Sequence, residues 1–297
     1  MKKIFSYLFA GVLLISACSG TKKVTEAPVV NTPAPVVNNG KVWAAIYQQQ
    51  AAEYKALCFQ AYNIARLRID EAVKQPPAKP YAVITDLDET LLDNSPYDAQ
   101  RALNNLDYNS QTWKIWTAKG ICDTVPGGPA FFKYAASKGV EVFYITNRDE
   151  DERAGTLKNL QLYTLPNADD MHLIVRHGAS SKESRRQAVM QTHTVILLCG
   201  DNLADFDALY DNKPSEPSRA ASTQQLMQAF GSRYIVLPNP SYGDWESSLF
   251  NFNYKLSNAQ KDSVIRSRPP VPGAGCDRAV VERAIIRGDA RSTTSPA

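Results

Sequence analysis

Cysteine is scarce in this chain: five in 297 residues, at 18, 58, 122, 199 and 276. Their spacing matches no zinc signature, so a structural zinc module is excluded. Cys199 sits inside an apolar stretch and reads as a buried thiol. Nothing in the spacing selects a disulfide pair. An excess of charge of one sign is also missing. Lys and Arg number 33 against 30 Asp and Glu, for a net +3, and no basic stripe forms. Nucleic acid is therefore not expected as a partner. The apolar run at 4–15 falls well short of the roughly 20 residues that a spanning helix needs.

That short run has the form of a targeting segment. Lys2 and Lys3 precede it, and Ser16 and Ala17 stand directly before Cys18. The order resembles a bacterial lipobox. It implies a signal peptide over 1–18, lipid attachment at Cys18, and a protein tethered to a membrane rather than crossing it. The implied location is the bacterial cell envelope, at the outer membrane. Residues 19–40 contain APVVN twice and are rich in Pro, Thr and Asn. They read as a semi-extended tether, with folded structure beginning near Lys41.

From Trp43 to Val73 apolar residues recur at helical spacing with no Pro or Gly between them, which predicts one long amphipathic helix stopped by QPPAKP. Five short apolar runs follow: YAVIT, VEVFYIT, MHLIVR, TVILLC and RYIVLP. Helical patterns separate most of them, including GPAFFKYAASKG, SKESRRQAVMQ and LADFDALY. Such alternation predicts an α/β fold with a parallel sheet covered by helices on both faces. Residues 95–126 interrupt the alternation and are expected to form a small helical cap inserted after the first strand. The folded domain is expected over 41–265, and the atypical tail at 266–297 to be poorly ordered.

The strand ends gather chemistry. The first runs into Asp86-Leu-Asp88, the second into Thr146-Asn147-Arg148, and the fourth into Gly200-Asp201, with Asp205 four residues on. Ser181-Lys182 follows the third after a short loop. One aspartate after a strand is usually a helix cap. Acids, a hydroxyl, an amide and cations at successive strand ends suit phosphoryl transfer instead, because ligands bind there in open α/β sheets. A carboxylate can attack phosphorus, and a second acid can move protons. A hard cation such as Mg2+ takes oxygen ligands, and cationic or hydroxyl groups can hold the equatorial phosphoryl oxygens.

Asp86-x-Asp88-x-Thr90, Thr146, Lys182 and Gly200-Asp201-x3-Asp205 resemble the four motifs of the haloacid dehalogenase superfamily. DLDETLLDNSPY and LLCGDNLADF resemble the paired signatures of class C acid phosphatases, the lipoprotein e family, and the likeness runs over roughly 42–263. The resemblance implies Asp86 as nucleophile and metal ligand, and Asp88 as general acid/base lending its carbonyl to Mg2+. It implies Asp201 as a further ligand and Asp205 beside it, holding Lys182 or a metal-bound water. Thr146 and Lys182 would bind phosphate, with Asn147 and Arg148 near. It also implies phosphomonoester substrates, often nucleoside monophosphates, and dimers are common in that family. Trp113, Trp116 and Tyr242 are the candidate base-stacking surfaces. A surface lipoprotein that captures nucleotides or a cofactor without turnover is the alternative, and transfer of the phosphoryl group to an alcohol is a rival within enzymes.

Overall fold

A computed structural model of the chain describes residues 36–268. The expected signal peptide with Cys18, nearly all of the tether, and the tail beyond Arg268 lie outside the described residues.

The first described element begins earlier than Lys41 and is not one helix. α1 (Val36–Gln50) and α2 (Ala52–Ala72) are separate, divided at Ala51, whose backbone is extended at φ −73° and ψ 128°. No breaker residue marks the division. α1 packs on the cap helix α3 (Ser95–Leu103) and on α10 (Asn258–Ser267), whereas α2 packs on α5 (Gly128–Ser137) and the sheet. Two different packing partners override the local propensity for continuation. α2 buries Tyr54, Cys58, Ala61, Tyr62, Ala65 and Ile69, a stripe at helical spacing.

The main sheet comprises β1 (Tyr81–Thr85), β4 (Glu141–Asp149), β5 (Leu173–Arg176), β6 (Thr194–Gly200) and β7 (Tyr234–Val236), in the order β5-β4-β1-β6-β7. Every neighbouring pair is parallel. A separate two-stranded ribbon joins β2 (Leu92–Asp93) to β3 (Asp123–Thr124). Side chains along β1 alternate between two cores. Val83 joins α2 and α5 on one face, with Leu160 of α6 (Arg153–Leu162). Ala82 and Ile84 join Val189 of α7 (Glu183–Thr192) on the other. Burial on both faces is why the strands read as unbroken apolar runs.

The cap expected after the first strand is present as α3, α4 (Ser110–Thr117) and the β2–β3 ribbon. Asn109 caps α4 by accepting from the Gln111 and Thr112 amides. The stretch LADFDALY, expected to be a helix, is two 3-10 turns, Leu203–Asp205 and Ala208–Tyr210. Two further helices, α8 (Glu216–Gln225) and α9 (Asp244–Leu249), carry too little apolar periodicity to be read from sequence. Cys58, Cys122 and Cys199 are free and buried.

Candidate active site

β1 lies at the centre of the sheet, so its end and that of β6 are adjacent. The Asp86 amide donates to the Cys199 carbonyl at 2.9 Å, carrying the β1–β6 ladder one residue past the strand. Asp201 directly follows β6. This brings carboxylate oxygens of Asp86, Asp201 and Asp205 within 4.8 Å of one another. Lys182, just before α7 and 5% exposed, reaches into this group. Its ammonium pairs with Asp86 and, at 2.7 Å, with Asp205. Gly200 makes the arrangement sterically feasible, because a Cβ there would lie 2.5 Å from Asp205 Oδ2.

The charge balance is uneven: three carboxylates face one ammonium. Burial pushes the Asp86 carboxyl up to about 7, against the pull of Lys182 and with a push from Asp205 and Asp88. Burial, with Asp205 and Asp86, pushes Asp201 well above the carboxylate range. Burial works to lower the Lys182 pKa, but Asp205 and Asp86 outweigh it and hold it above its usual value. An oxygen-only donor set with surplus negative charge fits a hard divalent cation. Asp201 is fixed by Thr90 Oγ1, which donates at 3.1 Å, and Asn239 Nδ2, which donates at 2.8 Å.

The Asp88 carboxyl has partners of its own outside this cluster. Arg148 Nη2 donates to Asp88 Oδ1 at 2.6 Å, and Nε lies 3.2 Å from both oxygens. Asn94 Nδ2 donates to the same Oδ1 at 2.9 Å. Arg148 is buried and also bonds Thr156 Oγ1. Its guanidinium thus holds the Asp88 carboxyl, and Arg148 also lines the cavity over the site.

Thr146 is fully buried, and its hydroxyl accepts from the Arg148 amide at 3.1 Å. One expectation changes. Trp116 packs against the core, and its indole N–H donates to Asn94 Oδ1 at 2.9 Å. It supports the side chain that supports Asp88 and is not a stacking surface. Asn147 lines the site and accepts from Arg185.

A cavity of about 600 Å3 opens over Asp86, Asp88, Lys182 and Asp201, and Trp113 and Tyr242 both line it. Trp113 is braced edge-on by Tyr97, with centroids 5.2 Å apart, and Arg148 lies over its ring at 5.8 Å. The Tyr242 hydroxyl donates to the carboxyl of buried Glu89, which also accepts from the Asn94 amide at 2.7 Å. Burial, with Asp98 and Asp88, pushes the Glu89 carboxyl well above its usual range. Glu89 holds a left-handed backbone at φ 57°, uncommon for a residue other than glycine.

Sequence reading assigned no role to Glu89, Asn94 or Asn239, although Glu89 and Asn94 stand inside the motif DLDETLLDNSPY. Arg185 carried no signal beyond its nearness to Lys182.

Residues 13–245 match the family HAD superfamily, subfamily IIIB (acid phosphatase). The chain is 36% identical to the class C acid phosphatase of Bacillus anthracis with tungstate bound, covering 80% of this chain and 99% of that one, with a TM-score of 0.75. A second structure of the Bacillus anthracis protein matches at the same identity and TM-score, over 79% of this chain and 98% of that one. Two plant proteins are more distant. The stem 31 kDa glycoprotein of Glycine max is 24% identical over 165 residues, covering 54% of this chain and 58% of its own length. Acid phosphatase 1 of Solanum lycopersicum is 24% identical over 170 residues, covering 54% of this chain and 57% of its own length. The chain thus spans little more than half of these curated relatives. With four acids, a buried lysine and a cavity at the carboxyl ends of a parallel sheet, the chain belongs to the class C acid phosphatases of the haloacid dehalogenase superfamily.

Proposed function

We propose that this protein is a Mg2+-dependent phosphomonoesterase that hydrolyses nucleoside monophosphates through a phosphoaspartate on Asp86. The observation that carries this reading is the gathering of Asp86, Asp201 and Asp205 about buried Lys182, with Asp88 separately oriented two residues from Asp86. Binding of tungstate, a tetrahedral oxyanion like phosphate, by the Bacillus anthracis relative adds support.

The proposed chemistry follows from the side chains. Asp86 attacks phosphorus and forms an acyl phosphate while the ester oxygen departs. Asp88 gives that oxygen its proton, and in the second half takes a proton from the water that attacks the acyl phosphate. The products are alcohol and inorganic phosphate, and both residues return to their starting state. Lys182 faces the phosphoryl oxygens and offsets their charge in the transition state. Asp86, Asp201 and the Asp88 carbonyl would hold the cation, with Asp205 beside them, and Mg2+ when bound supplies Lewis-acid stabilisation of phosphoryl charge. Arg148 and Asn94 fix the direction in which the Asp88 carboxyl faces.

The purified protein is expected to release p-nitrophenol from p-nitrophenyl phosphate with Mg2+ present and to lose that activity on chelation. Re-addition of Mg2+ should restore it. A protein that only captures nucleotides would release no phosphate under any of these conditions, and that result would end the proposal.

The nucleotide assignment rests on Trp113 and Tyr242 lining the cavity. Stacking of a base on an aromatic ring contributes about 1–3 kcal/mol in single-strand-binding proteins. Trp113→Ala is therefore expected to raise KM for a nucleoside monophosphate about 5- to 100-fold and to spare kcat. A small aliphatic phosphate, having no base, should lose much less. Equal losses on both substrates would make Trp113 a packing residue. Tyr242→Phe keeps the ring and removes only the bond to Glu89, which separates stacking from support of the loop.

A further inference from the structure

Asn94 stands at the N-cap of α3, where an asparagine usually accepts a hydrogen bond from an amide of the first helical turn. Its side chain makes no such bond. The buried carboxamide is engaged elsewhere. Oδ1 accepts from the Trp116 indole N–H at 2.9 Å and from the Cys122 thiol at 3.3 Å, and Nδ2 donates to Asp88 Oδ1 at 2.9 Å. An indole N–H can only donate, so the atom it meets on Asn94 is the oxygen, and the amide nitrogen is left for Asp88.

Cys122 supports the same orientation from a fixed position. It is 1% exposed, and Asn159 on α6 holds its backbone twice. The Cys122 amide donates to Asn159 Oδ1, and Asn159 Nδ2 donates to the Cys122 carbonyl, both at 2.9 Å. Burial pushes the Cys122 thiol up to about 11, which keeps its proton in place as a donor at neutral pH.

The two oxygens of a carboxylate are equivalent until their donors distinguish them. Asp88 Oδ1 takes Arg148 Nη2 at 2.6 Å and Asn94 Nδ2 at 2.9 Å, one donor for each lone pair. Among the described residues Oδ2 has Arg148 Nε alone, at 3.2 Å and shared with Oδ1. Asp88 lines the cavity, and its side chain keeps 16% exposure.

We infer that Trp116 and Cys122 are positioning residues that lock the Asn94 amide, so that Asp88 Oδ1 stays filled and Oδ2 is the oxygen that carries the proton. This rests on the phosphomonoesterase reading above and deepens it. Oδ2–H gives its proton to the ester oxygen as the bond from that oxygen to phosphorus breaks, and Asp88 becomes a carboxylate. Oδ2 then takes a proton from water as the water oxygen bonds to phosphorus and the Asp86 carboxylate is released. Without the lock, the amide can turn over and set its oxygen against Oδ1, or it can return to the helix cap. Either change frees Oδ1 and removes the distinction between the two oxygens.

The test is the leaving-group dependence of kcat/KM in the Mg2+-loaded protein, which covers the steps up to departure of the alcohol. Phenolate is a poor leaving group and needs its proton, whereas p-nitrophenolate needs little. Asn94→Ala removes the amide but no capping bond. The double variant Trp116→Phe/Cys122→Ala keeps Asn94 and removes both donors to it. Each should lower kcat/KM for phenyl phosphate about 10- to 100-fold, a part of what general acid catalysis supplies. Each should lower kcat/KM for p-nitrophenyl phosphate much less. Trp116→Phe/Cys122→Ser returns a hydroxyl donor and should narrow the gap between the substrates again. The ratio of the two kcat/KM values does not depend on how much of a variant is folded. Cys122→Ala alone, the smallest change, should widen the ratio in the same direction. Equal losses on both substrates overturn the inference, as does a serine variant that behaves like the alanine one. Absence of turnover of either substrate by wild type would instead strike the phosphomonoesterase reading, and the inference with it.

Discussion

Asp86→Asn is expected to lower phosphomonoester turnover by about 10^4-fold or more, since removal of the proposed nucleophile leaves only binding and electrostatic assistance. Acid-quenched protein incubated with labelled substrate should carry phosphate in the wild type and none in the variant. The fold should survive. Lys182 keeps its 2.7 Å pairing with Asp205, and the substitution removes one of three carboxylates held within 4.8 Å. Relief of that repulsion predicts a melting temperature in metal-free buffer no lower than that of wild type. Loss of turnover together with a large drop in melting temperature would point to a structural role. Turnover within tenfold of wild type would assign the nucleophile elsewhere.

Asp88→Asn is expected to lower kcat by about 10²–10⁴-fold, the usual range for loss of general acid–base assistance. The backbone carbonyl proposed for the cation is unchanged, so Mg2+ affinity should change little. The leaving group separates chemistry from damage. A good leaving group such as p-nitrophenolate needs little protonation, so with it formation of the phosphoenzyme should suffer less than its hydrolysis, and labelled phosphoenzyme should accumulate. The variant also leaves Arg148, whose side chain is 1% exposed, without its counter-charge. Breaking a fully buried pair costs about 3–5 kcal/mol. The Asp88 side chain retains 16% exposure, and an amide oxygen can still accept from Arg148, so a smaller loss of stability is expected. Rates should be compared below both melting transitions. Near-normal turnover with a poor leaving group would overturn the acid/base assignment.

The placement of side chains at the site has one physical origin. Trp116 and Trp113 lie three residues apart in SQTWKIWT, and α4 turns them to different surroundings: one lines the cavity, the other packs against the core and bonds Asn94. Spacing places a residue on a helix, but the direction of the cavity depends on how that helix docks. Arg148 and Thr146 likewise stand where phosphate-binding groups are expected, in TNR near the end of β4. Burial decides their use, because a guanidinium withdrawn from water needs a carboxylate and finds Asp88.

The sequence by itself determined the parallel α/β class, the position of a cap after the first strand, and the meeting of Asp86, Lys182, Asp201 and Asp205. These are legible because continuous apolar strands require helices on both faces, and because parallel strands align their carboxyl ends at one edge. The tertiary structure alone decided the break at Ala51 and the service of Glu89, Asn94 and Trp116 to the site. Alanine is the best helix former, so nothing local ends a helix there. The break exists because α1 must reach α3 and α10 while α2 stays on α5 and the sheet.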